Sequence, residues 1–146
     1  MMNKANRILL VIVGLTIIAA IAASIFGARS VKQLDRHTPA GAVQAYLSAT
    51  LNGRNDVAAK YLAPDSPCKV EDLDRVYINT SSRVTLVDTQ LEGSLATVRV
   101  SVETPTGGPF ESFNTESHSY RLVQVNDHWL LSGIPWPLWD CGVVAK

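Results

Sequence analysis

Hydrophobic and polar positions change their spacing twice along this chain. From residue 8 to residue 28 no charge interrupts ILLVIVGLTIIAAIAASIFGA, a run of 21 residues. As a helix it would be about 31 Å long, close to the hydrocarbon thickness of a bilayer. A helical period follows. Thr38-Pro39 offers a capping hydroxyl and then proline at the first helical position. Val43, Tyr46, Leu47 and Leu51 recur at helical spacing, and Asn52-Gly53 stops the helix. Asn55 or Asp56 caps a second short helix with Val57, Ala58, Tyr61 and Leu62 on its apolar face, ended by Pro64. A third helical turn is predicted over 71–76. The period then drops to two. Val84 and Leu86 flank Thr85, and Ala96, Val98, Val100 and Val102 alternate with Thr97, Arg99, Ser101 and Glu103. TPTGGP is a loop by composition, 113–125 reads as a strand, Asn126-Asp127 as a hairpin turn and 128–134 as the returning strand. Helices first and a meander of strands afterwards predict an α+β fold, with helices packed on one face of an antiparallel sheet.

Length and charge set the domain plan. The apolar run outlasts the 7 to 15 residues of a signal-peptide core, since it continues past Ala20-Ile21-Ala22 through Ile25 and Phe26. The length criterion therefore selects a retained transmembrane helix over a cleaved leader. Lys4 and Arg7 stand before it and Arg29, Lys32 and Arg36 after it, a bias that mildly favours the wrong side. The cysteines point the other way. The two, Cys68 and Cys141, lie far apart and outside any CxxC, the pattern of one disulfide in an exported domain; in a reducing cytosol they would be buried thiols. The plan is a cytoplasmic N-terminus (1–7), a single transmembrane helix (8–28), a linker (29–37) that can touch lipid headgroups, and one extracytoplasmic domain (38–146). From Thr38 onward there are eight Lys/Arg and twelve Asp/Glu, a net charge of −4 with no basic cluster, which disfavours nucleic-acid binding.

The stretches TPAGAVQAYLSATLNGRNDVAAKYLAP and YRLVQVNDHWLLSGIPW, with alternating strands between them, resemble the NTF2-like superfamily. The resemblance covers roughly 38–137 and implies a cone in which a curved sheet wraps an amphipathic helix. With the tail PWPLWDC it is also similar to small membrane-anchored envelope proteins of actinobacteria. The superfamily includes isomerases, dehydratases, transport factors and many non-catalytic binding domains, so the fold does not choose a function.

An isomerase-type site would need a tuned base inside the cone. Of the three histidines, His37 sits in the linker and His128 beside the hairpin turn; His118 lies within a strand, where Tyr120 shares its face and Tyr46 of the long helix can oppose it. His118, Tyr46 and Tyr120 are the candidate pocket, His118 the candidate base; the plainer reading is a half-exposed histidine with two core tyrosines. Glu71, Asp72 and Asp74 read as a solvated helix start without calcium-loop spacing. No zinc pattern, nucleophile elbow or phosphate loop is present, so no metal or cofactor is expected.

The tail completes the picture. Pro135 and Pro137 favour an extended strap that carries Cys141 back to Cys68. The bridge would close a loop of 74 residues, worth roughly 4 kcal/mol in the chain-entropy model. Trp136 and Trp139 would cover the helix–sheet seam, or else form a lid or a patch for a partner. The expected function is a non-catalytic binding or accessory module for an envelope partner or a small apolar ligand. An isomerase- or dehydratase-type enzyme is the alternative, and a purely structural accessory subunit with a filled cone the third reading.

Overall fold

Local rules place the elements before any packing is considered. Helix α1, Pro39–Leu51, opens where Thr38 takes an extended backbone and its Oγ1 accepts the Gly41 amide at 3.1 Å. Gly41 has no alternative: a Cβ there would stand 1.9 Å from the Asp35 carbonyl oxygen. That carbonyl accepts hydrogen bonds from the Thr38 amide and hydroxyl, which folds the preceding chain over the first turn. The helix stops at Asn52, and Gly53 turns the chain with φ +67°, a conformation without a Cβ penalty for glycine. Two short helices follow, α2 (Asn55–Ala59) and α3 (Val70–Leu73). The second is shorter than the spacing predicts and is opened by the Lys69 amide donating to the Asp72 carboxylate at 2.9 Å.

Strands β1 (Arg83–Glu92), β2 (Leu95–Pro105), β3 (Phe113–Val125) and β4 (His128–Ser132) form one antiparallel sheet in the order β1-β2-β3-β4. Asn126 (φ 48°) and Asp127 (φ 63°) make the β3–β4 turn; both lie in the left-handed region that a two-residue hairpin turn demands. Along β1 the pairing steps from Leu86↔Val100 to Asp88↔Arg99, so Val87 is an extra, bulged residue. The core-facing side of the sheet carries Ala96, Val98, Val100, Val102, Tyr120, Leu122, Trp129 and Leu131, clustered with Ala42, Val43, Tyr46, Leu47 and Ala49 of α1. The segment after α2 runs along β4: the Ala63 amide donates to the Leu131 carbonyl at 2.8 Å and the Leu131 amide to the Tyr61 carbonyl at 2.7 Å. Cys68 and Cys141 are joined as a disulfide, with Cα atoms 5.3 Å apart. Residues 136–138 turn rather than extend, with a cis Trp136–Pro137 peptide, and bury Leu138.

The computed structural model describes residues 6, 12–17, 32–107, 112–132, 136–138 and 141. Contacts divide the chain into two units, Met1–Lys32 and Gln33–Lys146. In the first, residues 12–17 are helical, and the Thr16 hydroxyl donates to the Val13 carbonyl at 2.9 Å. This corrects the expected fold. A span needs about 20 apolar helical residues. Among the described residues no helix is long and apolar enough to cross a membrane. The fold is an α+β domain with a four-stranded antiparallel sheet, and the transmembrane helix expected ahead of it is not found among the described residues. The rest of the apolar run at 8–28, with 1–5, 7 and 29–31, lies outside the described residues.

Candidate functional site

Alternation along β3 aims Asn114, Glu116, His118, Tyr120 and Leu122 to one side, opposite Thr104, Val102, Val100, Val98 and Ala96 of β2. Burial increases along this row. Asn114 and Glu116 are exposed, His118 is half-buried, and Tyr120 and Leu122 are in the core. The polar members form a chain: Asn114 Nδ2 donates to Glu116 Oε1 at 2.9 Å, and Glu116 Oε2 lies 3.1 Å from His118 Nε2. Trp136 lies against His118, its ring 5.7 Å from the imidazole at 34°. The Tyr120 hydroxyl donates to the Trp136 carbonyl at 3.3 Å and so ties the tail to the sheet.

The three candidate pocket residues therefore meet only in part. Tyr46 and Tyr120 touch edge to face, with centroids 6.3 Å apart and planes at 62°, and are 0% and 1% exposed. His118 joins them through Trp136 rather than across an open space. Burial pushes both phenols far above the ordinary range. At Tyr46 the Thr50 side chain pulls weakly the other way, without reaching hydrogen-bond geometry, and at Tyr120 the neighbouring Tyr46 adds to the rise. The Thr50 hydroxyl gives its hydrogen to the Tyr46 carbonyl at 2.9 Å. Tyr46 Oη is buried and lacks a hydrogen-bond partner among the described residues.

A carboxylate beside an imidazole is the arrangement of an oriented base. A base also needs room for a substrate. Among the described residues a recess of about 20 Å³, lined by Gln90, Glu92, Leu95, Ala96 and Thr97, lies at the β1–β2 end. It would admit about one water, and it is remote in sequence and strand position from His118.

Of the other predicted residues, Cys68 and Cys141 are paired, Trp136 is half-buried over His118, and Trp139 lies outside the described residues. No group of three or more His, Cys, Asp or Glu stands ready for a metal among the described residues. Sequence reasoning missed Glu116, although its i, i+2 spacing to His118 on a strand gives the two a common face. It also missed a surface pair: His37 and His128, set aside separately, stack with centroids 6.0 Å apart at 27°.

No protein-family model and no curated protein matches this chain, so the NTF2-like resemblance gains nothing from that side. Among solved structures the chain is similar to a SEC-C motif containing protein from Rhodopseudomonas palustris, determined in solution. The two are 14% identical, the match covers 68% of this chain and 78% of that one, and the TM-score is 0.48.

Proposed function

We propose that the domain is a non-catalytic binding or accessory module that works through its surface in an oxidising compartment of the cell envelope. The observation that carries this reading is the packing of the core among the described residues. Tyr46 and Tyr120, with Leu122, Leu131 and Val43, are buried together in one core cluster, where a cone would hold a substrate or a small apolar ligand. A protein partner is thus preferred over a small ligand. The disulfide supports the compartment, because such bonds persist where thiols are not kept reduced. The likeness of the helix, hairpin and PWPLWDC tail to small actinobacterial envelope proteins belongs to the same proposal.

The second reading, an isomerase- or dehydratase-type enzyme, is favoured by one observation, the Glu116–His118 pair. Removing a general base costs about 10²- to 10⁴-fold in rate. Glu116→Gln and His118→Ala, each expressed in a strain lacking the chromosomal copy, should therefore separate the readings. With protein levels matched by blot and folding checked by circular dichroism, both variants should retain the cellular role. Loss of the role in both, at normal levels of folded protein, would replace the binding module with the enzyme.

A further inference from the structure

The sheet has two edges, and the fold treats them differently. Along β4 the outer edge is occupied by the 61–63 segment, hydrogen-bonded through Leu131. Along β1, among the described residues, all backbone pairing goes to β2 and the outer edge pairs with nothing. That edge is ten residues long and contains neither proline nor lysine. Exposed edge strands are usually short, interrupted by proline, or guarded by lysine. Here Leu86, Val87 and Leu91 are 45%, 55% and 61% exposed. Leu86 and Leu91 lie opposite Val100 and Ala96, so they belong to the core-facing side of the sheet yet stand beyond the cover of the helices.

We propose that β1 is a self-association edge: two copies of this chain pair their β1 strands antiparallel about a two-fold axis between residues 87 and 88. The bulge makes this register possible. Before Val87 the even-numbered residues face the core side, and after it the odd-numbered ones do. Pairing residues 83 to 92 with 92 to 83 of the partner therefore sets like face against like face over the whole strand. A strand without the bulge would set each core-facing residue against an outward one in this register. The charges at the strand ends agree with the register, and the two Asp88 carboxylates that it brings close at the axis are each paired with Arg99 of their own chain at 3.1 Å. Arg83 of one protomer meets the partner's Glu92, and by symmetry the pair occurs twice. On the core side Val84 meets the partner's Leu91, and Leu86 lies diagonal to it, within reach on the same face. The result is an eight-stranded sheet with β1 at its centre and both β4 edges still covered. A two-fold contact of this kind closes on itself and does not propagate into fibres. The bulge, one of the usual devices for blunting an edge, here serves as the centre of the contact. The pairing stands apart from the proposed function: it would hold with or without a further partner.

Charge reversal tests the pairing. The full chain, in neutral detergent at low salt, is followed by sedimentation equilibrium. The wild type should be a dimer. Arg83→Glu and Glu92→Arg should each weaken association about tenfold, since each turns two cross-strand attractions into repulsions. The double variant should regain the wild-type affinity, and an equimolar mixture of the two single variants should associate more tightly than either alone. Arg83 also sits 3.7 Å from Glu103 within the chain, whereas Glu92 has no ion pair among the described residues; Glu92→Arg therefore reads the interface without that local change. A monomeric wild type overturns the proposal and leaves the edge to an unlike strand. Association unmoved by both single reversals overturns it in favour of another surface. A folded double variant that fails to regain affinity overturns the register.

Discussion

Strand β4 has five residues and strand β1 has ten, and burial runs the other way. Trp129 and Leu131 of β4 are in the core, while Leu86 and Leu91 of β1, on the same side of the sheet, are largely open to solvent. The short strand is enclosed by α1, by the hydrogen-bonded 61–63 segment and by the disulfide-linked tail. Among the described residues the long strand is hydrogen-bonded to β2 alone. The stability of a sheet is thus set by what covers it, not by the length of its ladder: hydrophobic gain scales with area removed from water, and net ladder hydrogen bonds contribute little each.

The largest test of this contrast removes the covalent cover. Cys68→Ser together with Cys141→Ser should cost about 4 kcal/mol and lower the melting temperature by roughly 15 °C. Thermal unfolding of the wild type in reductant should fall to the same value. A loss below about 1 kcal/mol would mean that the core alone holds the β4 side.

Next comes a matched pair of truncations, read by denaturant unfolding. Leu131→Ala should cost about 3 kcal/mol, the ordinary figure for emptying a buried leucine site. Leu91→Ala should stay within about 0.5 kcal/mol under conditions where the chain is monomeric, as surface changes do. Equal costs at the two positions would erase the difference between the edges.

The smallest effect lies where α1 meets β3. Tyr120→Phe should cost about 1 kcal/mol because it deletes the hydrogen bond to the Trp136 carbonyl. Tyr46→Phe should be neutral or stabilising, because it removes a buried hydroxyl that lacks a partner among the described residues. The pH dependence follows from the direction of both shifts. Burial raises the folded pKa of these phenols above the unfolded value. Their contribution is fully present below about pH 10 and is lost as pH rises beyond it, because the unfolded chain ionises first. Unfolding free energies measured from pH 8 to 11 should fall at the alkaline end, and less steeply in Tyr46→Phe.

Much of this was legible in the chain. Thr38-Pro39 marks the start of α1, the run from Phe113 to Val125 marks β3, and Asn126-Asp127 marks the turn, because caps, periods and left-handed turns act over a few residues. The pairing of Cys68 with Cys141 followed from there being only two. Periodicity reports which residues share a face, not how far the helices extend over that face. Leu86 therefore read like Val100, though one is exposed and the other buried. The sequence offered Tyr46 and Tyr120 as a pocket, with core tyrosines as the plainer reading; the two are buried and in edge-to-face contact. The bulge at Val87 and the requirement for glycine at Gly41 depend on contacts with partners that no local pattern names. The apolar run at 8–28 meets a length criterion by composition, whereas among the described residues no helix is long and apolar enough to cross a membrane.

The bond between Cys68 and Cys141 encloses α3 and all four strands in one covalent ring and leaves α1 and α2 outside it. Tension applied from either side of the ring would pass from sulfur to sulfur and bypass the chain between them. In an oxidising setting the strands could not be drawn out in series, and the load would fall on the contacts that hold α1, α2 and the 61–63 segment to the sheet. Reduction would reroute the force through the whole meander, so the redox state of one bond decides which half of the domain is mechanically exposed.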